Sequence, residues 1–382
     1  MENINMANRL KIYQINIRHF LSFYGFTDIS QLELNFFINL KKQGFDTIWL
    51  MGMWQLPDYN IVKNYTTLPE QIENFTHLKP NFDHKNDICG SIFAIENYEI
   101  DSNIGNLNDL ATFRKKLSEI GLKLLLDYVP NHFHINSQIV QDKPEMFISW
   151  PQDNSDNCNH LKNSYQFQNT LDNKFCVAHG KDPFFPAWFD TAQVNYQSVE
   201  YQELVKWNIK KISNLCDGIR VDMASLGLNR IFNNTFHTFF ELTKYEKQSP
   251  NSEFWRDILE QINKENPGFY LIAESYWETQ NELLEIGFDY VYLVEWMQMI
   301  KKKPHWDQLM WFRTNILAKY NERAIIFMEN HDEERIHSIW LDPIEVEMAE
   351  ILTENQISSF LVQWGQREGW KIRWPVQLRN IK

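Results

Sequence analysis

Long apolar runs are missing from this chain of 382 residues. None approaches the roughly 20 residues that a membrane-spanning helix needs. The opening MENINMANRLKIYQINI has no apolar stretch ahead of a small-residue cleavage site. A cytoplasmic location with no membrane partner is therefore expected. Cysteine is also scarce. Cys89, Cys158, Cys176 and Cys216 occur without close pairing, which signals neither a zinc site nor a disulfide framework, and all four are expected to be reduced thiols. Positive charge is short too: 37 Lys and Arg face 50 Asp and Glu, for a net charge of −13. Phosphate backbones need clustered cations, so nucleic acid is excluded as the natural ligand. Solenoid repeats and low-complexity linkers are absent.

What the chain does have is an ordinary globular composition, 43% hydrophobic and 23% charged, with enough length for one large core and an insertion. Aromatic residues reach 15%. Most belong in a core, although flat rings also suit the apolar faces of sugars. Eight short apolar runs alternate with segments of helical spacing. The runs are KIYQINI (11–17), DTIWLMG (46–52), LKLLLDYV (122–129), CDGIRVD (216–222), FYLIAES (269–275), FDYVYLVE (288–295), AIIFMEN (324–330) and SSFLVQWG (358–365). Helix candidates between them include ISQLELNFFINLKKQG, NLNDLATFRKKLSEIG and WDQLMWFRTNILAKY.

Eight βα repeats match the closure number of a (β/α)8 TIM barrel, the α/β fold expected here, with an open doubly wound sheet as the competing arrangement. The spacing is uneven in one place, between 129 and 216. A small irregular domain, 133–190, is expected there over the barrel mouth, splitting the barrel into 1–132 and 191–382. Residues 366–382 leave no room for a carboxyl-terminal β-sandwich and doubtful room for a last helix.

Four strands end in polar clusters: LLLDYVPNH, DGIRVDMA, YLIAESYW and IIFMENHDEE. Strand stops and helix caps explain any one of them but explain the set poorly. In a barrel these ends converge, bringing Asp127, Asp222, Glu274 and Asp332 together beside Arg220, His132 and His331. Crowded carboxylates split into a proton donor and a charged partner. Glycosidic cleavage asks for that pair and needs no metal cofactor. Metal-assisted hydrolysis is the rival use, but an HxxxH or HxH pair is lacking.

In order, DYVPNH, GIRVD, the Glu of LIAESYW and ENHDEER resemble the four sequence regions of the α-amylase family, glycoside hydrolase family 13. GSIFAIENYEID and HGKDPFFPAWFDTAQVNY also resemble family segments, so the likeness runs from about 11 to about 378. It implies that Asp222 is the nucleophile, Glu274 the general acid/base and Asp332 the carboxylate that binds sugar hydroxyls. Arg220 would orient Asp222, His132 and His331 would bind the sugar being cleaved, and Asp127 would organise its strand end. Phe93 falls where the family places a stacking Tyr; a core ring is the alternative. The insertion would be the family's domain B. Asn131 and Asp190 fall near positions where relatives hold a structural calcium, with a plain polar hinge as the other reading. Trp54, Trp188 and Trp277 are either outer sugar sites or packing.

The implied activity is that of a retaining α-glycosidase hydrolysing starch, glycogen or maltooligosaccharides, its paired carboxyl groups about 5 to 5.5 Å apart. The α-glucan is the implied partner, and nothing sets the oligomeric state. Two departures leave alternatives open. MASLGLN lacks the Lys-His pair that many relatives carry after the nucleophile, and a (β/α)8 scaffold serves hydrolysis and transglycosylation alike. A noncatalytic glycan-binding relative is the third reading.

Overall fold

The computed structural model describes residues 9–151, 174–242 and 253–382, together with the backbone of 164–168. All eight apolar runs supply barrel strands: β1 (Lys11–Asn16), β2 (Thr47–Met51), β3 (Lys123–Tyr128), β4 (Gly218–Val221), β5 (Tyr270–Ala273), β6 (Tyr290–Tyr292), β7 (Ala324–Phe327) and β8 (Ser359–Gln363). Each pairs in parallel with its neighbours in sequence, and β8 returns to β1, closing the barrel. The reason the runs read as almost continuously apolar is that barrel strands are covered on both faces; β2, β4 and β7 are buried at every position.

Local chemistry sets the surrounding helices. Asn106 caps Leu107–Glu119 in a reciprocal box with Asp109, and Ser198 caps Val199–Ser213. Gly25, at φ 75°, ends Ile17–Tyr24. Gly218 allows β4 to sit between its neighbours: a Cβ there would lie 2.6 Å from the Tyr270 Cβ and 2.8 Å from Leu125 Cδ2.

Two excursions rise over the mouth, where one was expected. After β3, the chain leaves along His132–His134 and returns antiparallel along Thr191–Gln193, pairing His134 with Thr191 and His132 with Gln193. Between them Ser149–Pro151, Lys174–Ala178 and Ser164–Gln168 form a three-stranded antiparallel sheet. The second excursion follows β2. Trp54–Gln55 pairs antiparallel with Asn97–Ile100, and helices Tyr59–Val62, Pro69–Leu78 and His84–Asp87 lie between. Its helical apolar spacing hid it among the outer-ring helices.

One expectation is corrected. Cys89 and Cys216 are free and buried, but Cys176 is disulfide-bonded. It lies on the antiparallel sheet, where folding joins segments that sequence spacing keeps apart; Cys158 lies outside the described residues. The last stretch forms no helix: from 364 it turns at Gly365, φ 93°, and runs without regular structure across the mouth to 382. Among the described residues, no helix is long and apolar enough to cross a membrane.

Candidate active site

Parallel register delivers the polar strand ends to one mouth. Arg220 on β4 lies opposite Asp127 on β3, the Asp222 amide donates to the Tyr128 carbonyl at 2.8 Å, and the Glu274 amide donates to the Val221 carbonyl at 3.1 Å. One guanidinium then binds three carboxylates. Arg220 Nη1 is 2.5 Å from Asp222 Oδ1 and 3.4 Å from Asp127 Oδ1, while Nη2 is 2.6 Å from Glu274 Oε1. The rings of Trp49 and Phe93 stand 5.2 and 5.4 Å from its Cζ.

Burial works against the charge on Arg220, but Glu274 and Asp222 overcome it and hold the group well above its ordinary pKa. The cation is therefore permanent. Burial raises the Asp222 carboxyl, with Arg220 pulling against the rise and Glu274 adding to it. Burial likewise pushes Asp127 up to about 7, opposed chiefly by Arg220.

Glu274 is the most heavily bonded of the set. Oε1 takes Arg220 and the Tyr276 hydroxyl at 3.1 Å, and Oε2 accepts the Met223 amide at 2.6 Å. Met223, Trp277 and Glu278 have φ of 45°, 55° and 59°, three of the five non-glycine residues with positive φ among those described. Backbone strain thus gathers beside the two carboxylates.

Asp332 differs, with 51% of its side chain exposed to the cleft; Oδ2 is 3.1 Å from His331 Nε2. The Gln14 amide donates to His331 Nδ1 at 2.8 Å, so the ring's own proton sits on Nε2, the atom facing Asp332. Burial, and then Arg220, lower His331 to about 3; burial lowers His132 to about 4. Both rings are neutral donors or acceptors across the physiological range. The Phe93 ring lies tilted against His331 at 5.1 Å, and Trp188 meets His132 at 5.2 Å.

A cleft of about 430 Å³ opens here, lined by Phe93, His132, Asp190, Asp222, Glu274 and Asp332, with Trp188 and Trp277 at its sides. Asp127, Arg220, Asn131 and His331 are buried and are not among the residues that line it. Trp54 is core: its indole donates to the Asp127 carbonyl at 2.8 Å.

Gln14, Tyr276 and residues 373–378 were not singled out in the sequence. Gln14 had a signal, a fully buried amide between apolar residues of its strand. Tyr276 sits within LIAESYW but carries no mark of its role, and the segment 373–378 carries no periodicity at all.

The pair expected near a calcium does not fit one. Asn131 Oδ1 already accepts from Gln193 Nε2 at 3.0 Å and the Tyr196 hydroxyl at 3.1 Å, filling its two acceptor directions. Among the described residues, no group of three or more His, Cys, Asp or Glu is placed to hold a metal ion.

The model for the α-amylase catalytic domain matches residues 37–362. The 1,4-alpha-glucan branching enzyme GlgB 2 of Clostridium perfringens (strain SM101 / Type A) is 23% identical over 308 residues, covering 74% of this chain but 42% of that enzyme. The chain thus spans less than half the length of that relative. An α-amylase from Lactobacillus plantarum superposes with a TM-score of 0.65 at 18% identity, covering 97% of this chain and 74% of that one. The trehalose-6-phosphate hydrolase TreA of Bacillus licheniformis gives 0.64 at 14% identity, covering 95% and 65%. At such identities the structural likeness speaks for the fold alone.

Proposed function

The chain belongs to the α-amylase family, and from that premise we propose that it is a retaining α-glycosidase hydrolysing α-glucosidic bonds in starch, glycogen or maltooligosaccharides. The observation that carries this reading is the shared cation: Arg220 touches Asp222 at 2.5 Å and Glu274 at 2.6 Å. Two carboxylates within the span of one guanidinium suit direct attack, for which retaining enzymes keep them about 5 to 5.5 Å apart; inverting enzymes leave about 6.5 to 9.5 Å for a water.

In the first step a carboxylate oxygen of Asp222 attacks the anomeric carbon. The bond to the glycosidic oxygen breaks, and that oxygen takes the proton of Glu274. Oε2 is the oxygen that must turn to it, leaving the Met223 amide, because Oε1 is held by Arg220 and Tyr276. Water then attacks the same carbon and gives its proton to Glu274, and the bond to Asp222 breaks, restoring the α configuration. Asp332, His331 and His132 would hold the sugar's hydroxyls, and Phe93 would face its ring. No cofactor enters this chemistry.

One observation favours transglycosylation as a second reading. On the Glu274 side, where the leaving group departs, Phe184 and Phe185 are each 69% exposed, and the Phe184 ring is 5.4 Å from Trp277. Such a rim can hold a sugar that competes with water. The cytoplasmic location remains a sequence-based expectation, and the disulfide at Cys176 stands against it, since disulfides persist in oxidising compartments.

Maltooligosaccharides incubated with the protein, with products resolved by length and by anomer, test the reading. Shorter α-configured products are expected. Longer products would favour transfer, β-configured product would remove the retaining mechanism, and an inert protein would favour the glycan-binding alternative.

A further inference from the structure

The segment that crosses the mouth has a definite seat. Leu378 is fully buried against Val62, Phe75 and Ile88 and pairs antiparallel with Ile88. The Gln377 carbonyl accepts the Cys89 amide at 2.9 Å, and the Arg379 amide donates to the Asp87 carbonyl at 2.7 Å. The Leu378 carbonyl accepts His19 Nε2 at 2.8 Å. The Arg379 guanidinium donates to the carbonyls of Lys85 and Asn86 at 2.9 and 3.1 Å, and the Asn380 amide donates to Asp87 Oδ1 at 2.8 Å. Upstream, the Arg373 guanidinium donates to the Asp332 carbonyl. Bonded on both flanks, this strap is part of the fixed wall and not a loose cover.

Its position bears on the reaction. Val376 and Gln377 line the cleft together with Phe93, Asp222, Glu274 and Asp332. The same two residues, with Asp332 and His331, also line a neighbouring depression of about 350 Å³, which Glu70, Gln71 and Asn74 on Pro69–Leu78 border as well. They are the ridge between the two hollows. The general acid faces the bond that breaks, so the leaving sugar lies on the side of Glu274, Trp277 and Phe184. The rest of the glycone must extend the opposite way, past Asp332, and there it meets the ridge.

We infer that Val376 and Gln377 close the glycone end of the cleft behind a single sugar, so that the protein acts at the non-reducing end of α-glucans and releases one glucose at a time. The inference rests on the α-glycosidase reading above.

The test uses two versions of p-nitrophenyl α-maltoheptaoside, one free and one with its non-reducing end blocked by a 4,6-ethylidene group, each followed by chromatography of the sugars. Glucose as the first product from the free chain, and at least 100-fold slower cleavage of the blocked one, are expected. Equal cleavage of both, with internal products, would overturn the wall while leaving the glycosidase reading intact. Inactivity on both chains and on p-nitrophenyl α-glucoside would remove both proposals. The double variant Val376→Gly/Gln377→Gly should shift the first product from glucose towards maltose and maltotriose. If that variant folds, cleaves and still releases only glucose, the ridge is not what stops the chain. If it does not fold, the blocked chain decides with the unaltered protein.

Discussion

Arg220, Asp222 and Glu274 reach the floor of the cleft from the ends of β4 and β5, each after an apolar run, whereas Val376 and Gln377 reach its wall from a segment with no regular element of its own. The floor is positioned by the hydrogen-bond ladder of the barrel, in which the Asp222 and Glu274 amides take their places on Tyr128 and Val221. The wall is positioned by contacts between residues nearly 300 apart, Cys89 with Gln377 and Asp87 with Asn380. A barrel thus holds its reacting groups by local rules and shapes its cleft by long-range ones. Changes to the floor should alter rate, and changes to the wall should alter product.

The largest effect that would sharpen this contrast is at Asp222. Asp222→Asn keeps shape and hydrogen bonding but removes the attacking charge, and activity on α-glucans should fall by about 10⁴-fold or more. The melting temperature should change little, since Arg220 retains Glu274 at 2.6 Å and Asp127 at 3.4 Å. Glu274→Gln should lose a similar factor on α-glucans yet spare the first step on α-glucosyl fluoride, whose leaving group needs no proton. Near-normal turnover by Asp222→Asn on every substrate would break the double-displacement account and, with it, the special standing of the floor.

A smaller effect is expected one residue off the floor. Tyr276 donates to Glu274 Oε1 at 3.1 Å, and a hydrogen bond to a charged group contributes about 1.5 to 3 kcal/mol. Tyr276→Phe should lower kcat by about 10- to 100-fold on α-glucans and leave the product lengths unchanged. A changed product pattern with unchanged kcat would move Tyr276 from the floor to the wall.

These two classes of residue also mark what the sequence made legible. The eight strands could be counted because burial on both faces leaves a short apolar run, and carboxylates stand out after such runs. Gln14 was legible in principle, as an amide in the apolar strand KIYQIN, but its partner His331 lies 317 residues away. The excursion after β2 was not, because its helix Pro69–Leu78 has the same spacing as an outer-ring helix. Nor was the strap, whose anchoring is by backbone carbonyls and amides, groups that every residue has. Strand-end carboxylates alone also overcount: Glu329 ends β7 within ENHDEER, yet it pairs at 2.9 Å with buried Arg335 and caps the Ile336 amide at 2.6 Å. It braces the strand end, whereas Asp332, three residues on, faces the cleft.

Acid offers a milder way to separate wall from floor. Burial lowers His19, a strap anchor, to about 4, against an unfolded value of about 6.5. Between those pH values the unfolded chain binds a proton that the folded chain refuses, so this group's contribution to stability is present above about 6.5 and is lost as pH falls towards 4. The loss from pH 7 to pH 5 is on the order of 1 to 2 kcal/mol. His19→Gln, which keeps a donor for the Leu378 carbonyl, should therefore show a smaller fall in melting temperature between pH 7 and pH 5 than the unaltered protein, by a few degrees. An identical or steeper fall would mean that His19 is not held neutral in its seat.

The smallest expected effect is none, and it concerns the hinge between floor and inserted domain. Asn131 sits where β3 gives way to the excursion, with its side-chain oxygen accepting from Gln193 and Tyr196 and its amide donating to Gln193 Oε1 at 3.1 Å. A cation there would have to displace two hydrogen bonds between buried groups, leaving the Tyr196 hydroxyl unpaired at about 1 to 3 kcal/mol and the Gln193 amide with only the Val194 carbonyl at 3.2 Å. Side-chain hydrogen bonds, on this account, fasten the domain to the barrel. A ligand at 100 times its Kd stabilises the folded state by about 2.7 kcal/mol, which a melting curve resolves. Melting temperature and rate on maltooligosaccharides should be the same in EDTA and in millimolar calcium, while Asn131→Ala should lower the melting temperature under both conditions. A rise with calcium that Asn131→Ala abolishes would make the hinge a metal site, and would show that the hydrogen-bonded arrangement of Asn131, Gln193 and Tyr196 is not the one the protein keeps when the ion is present.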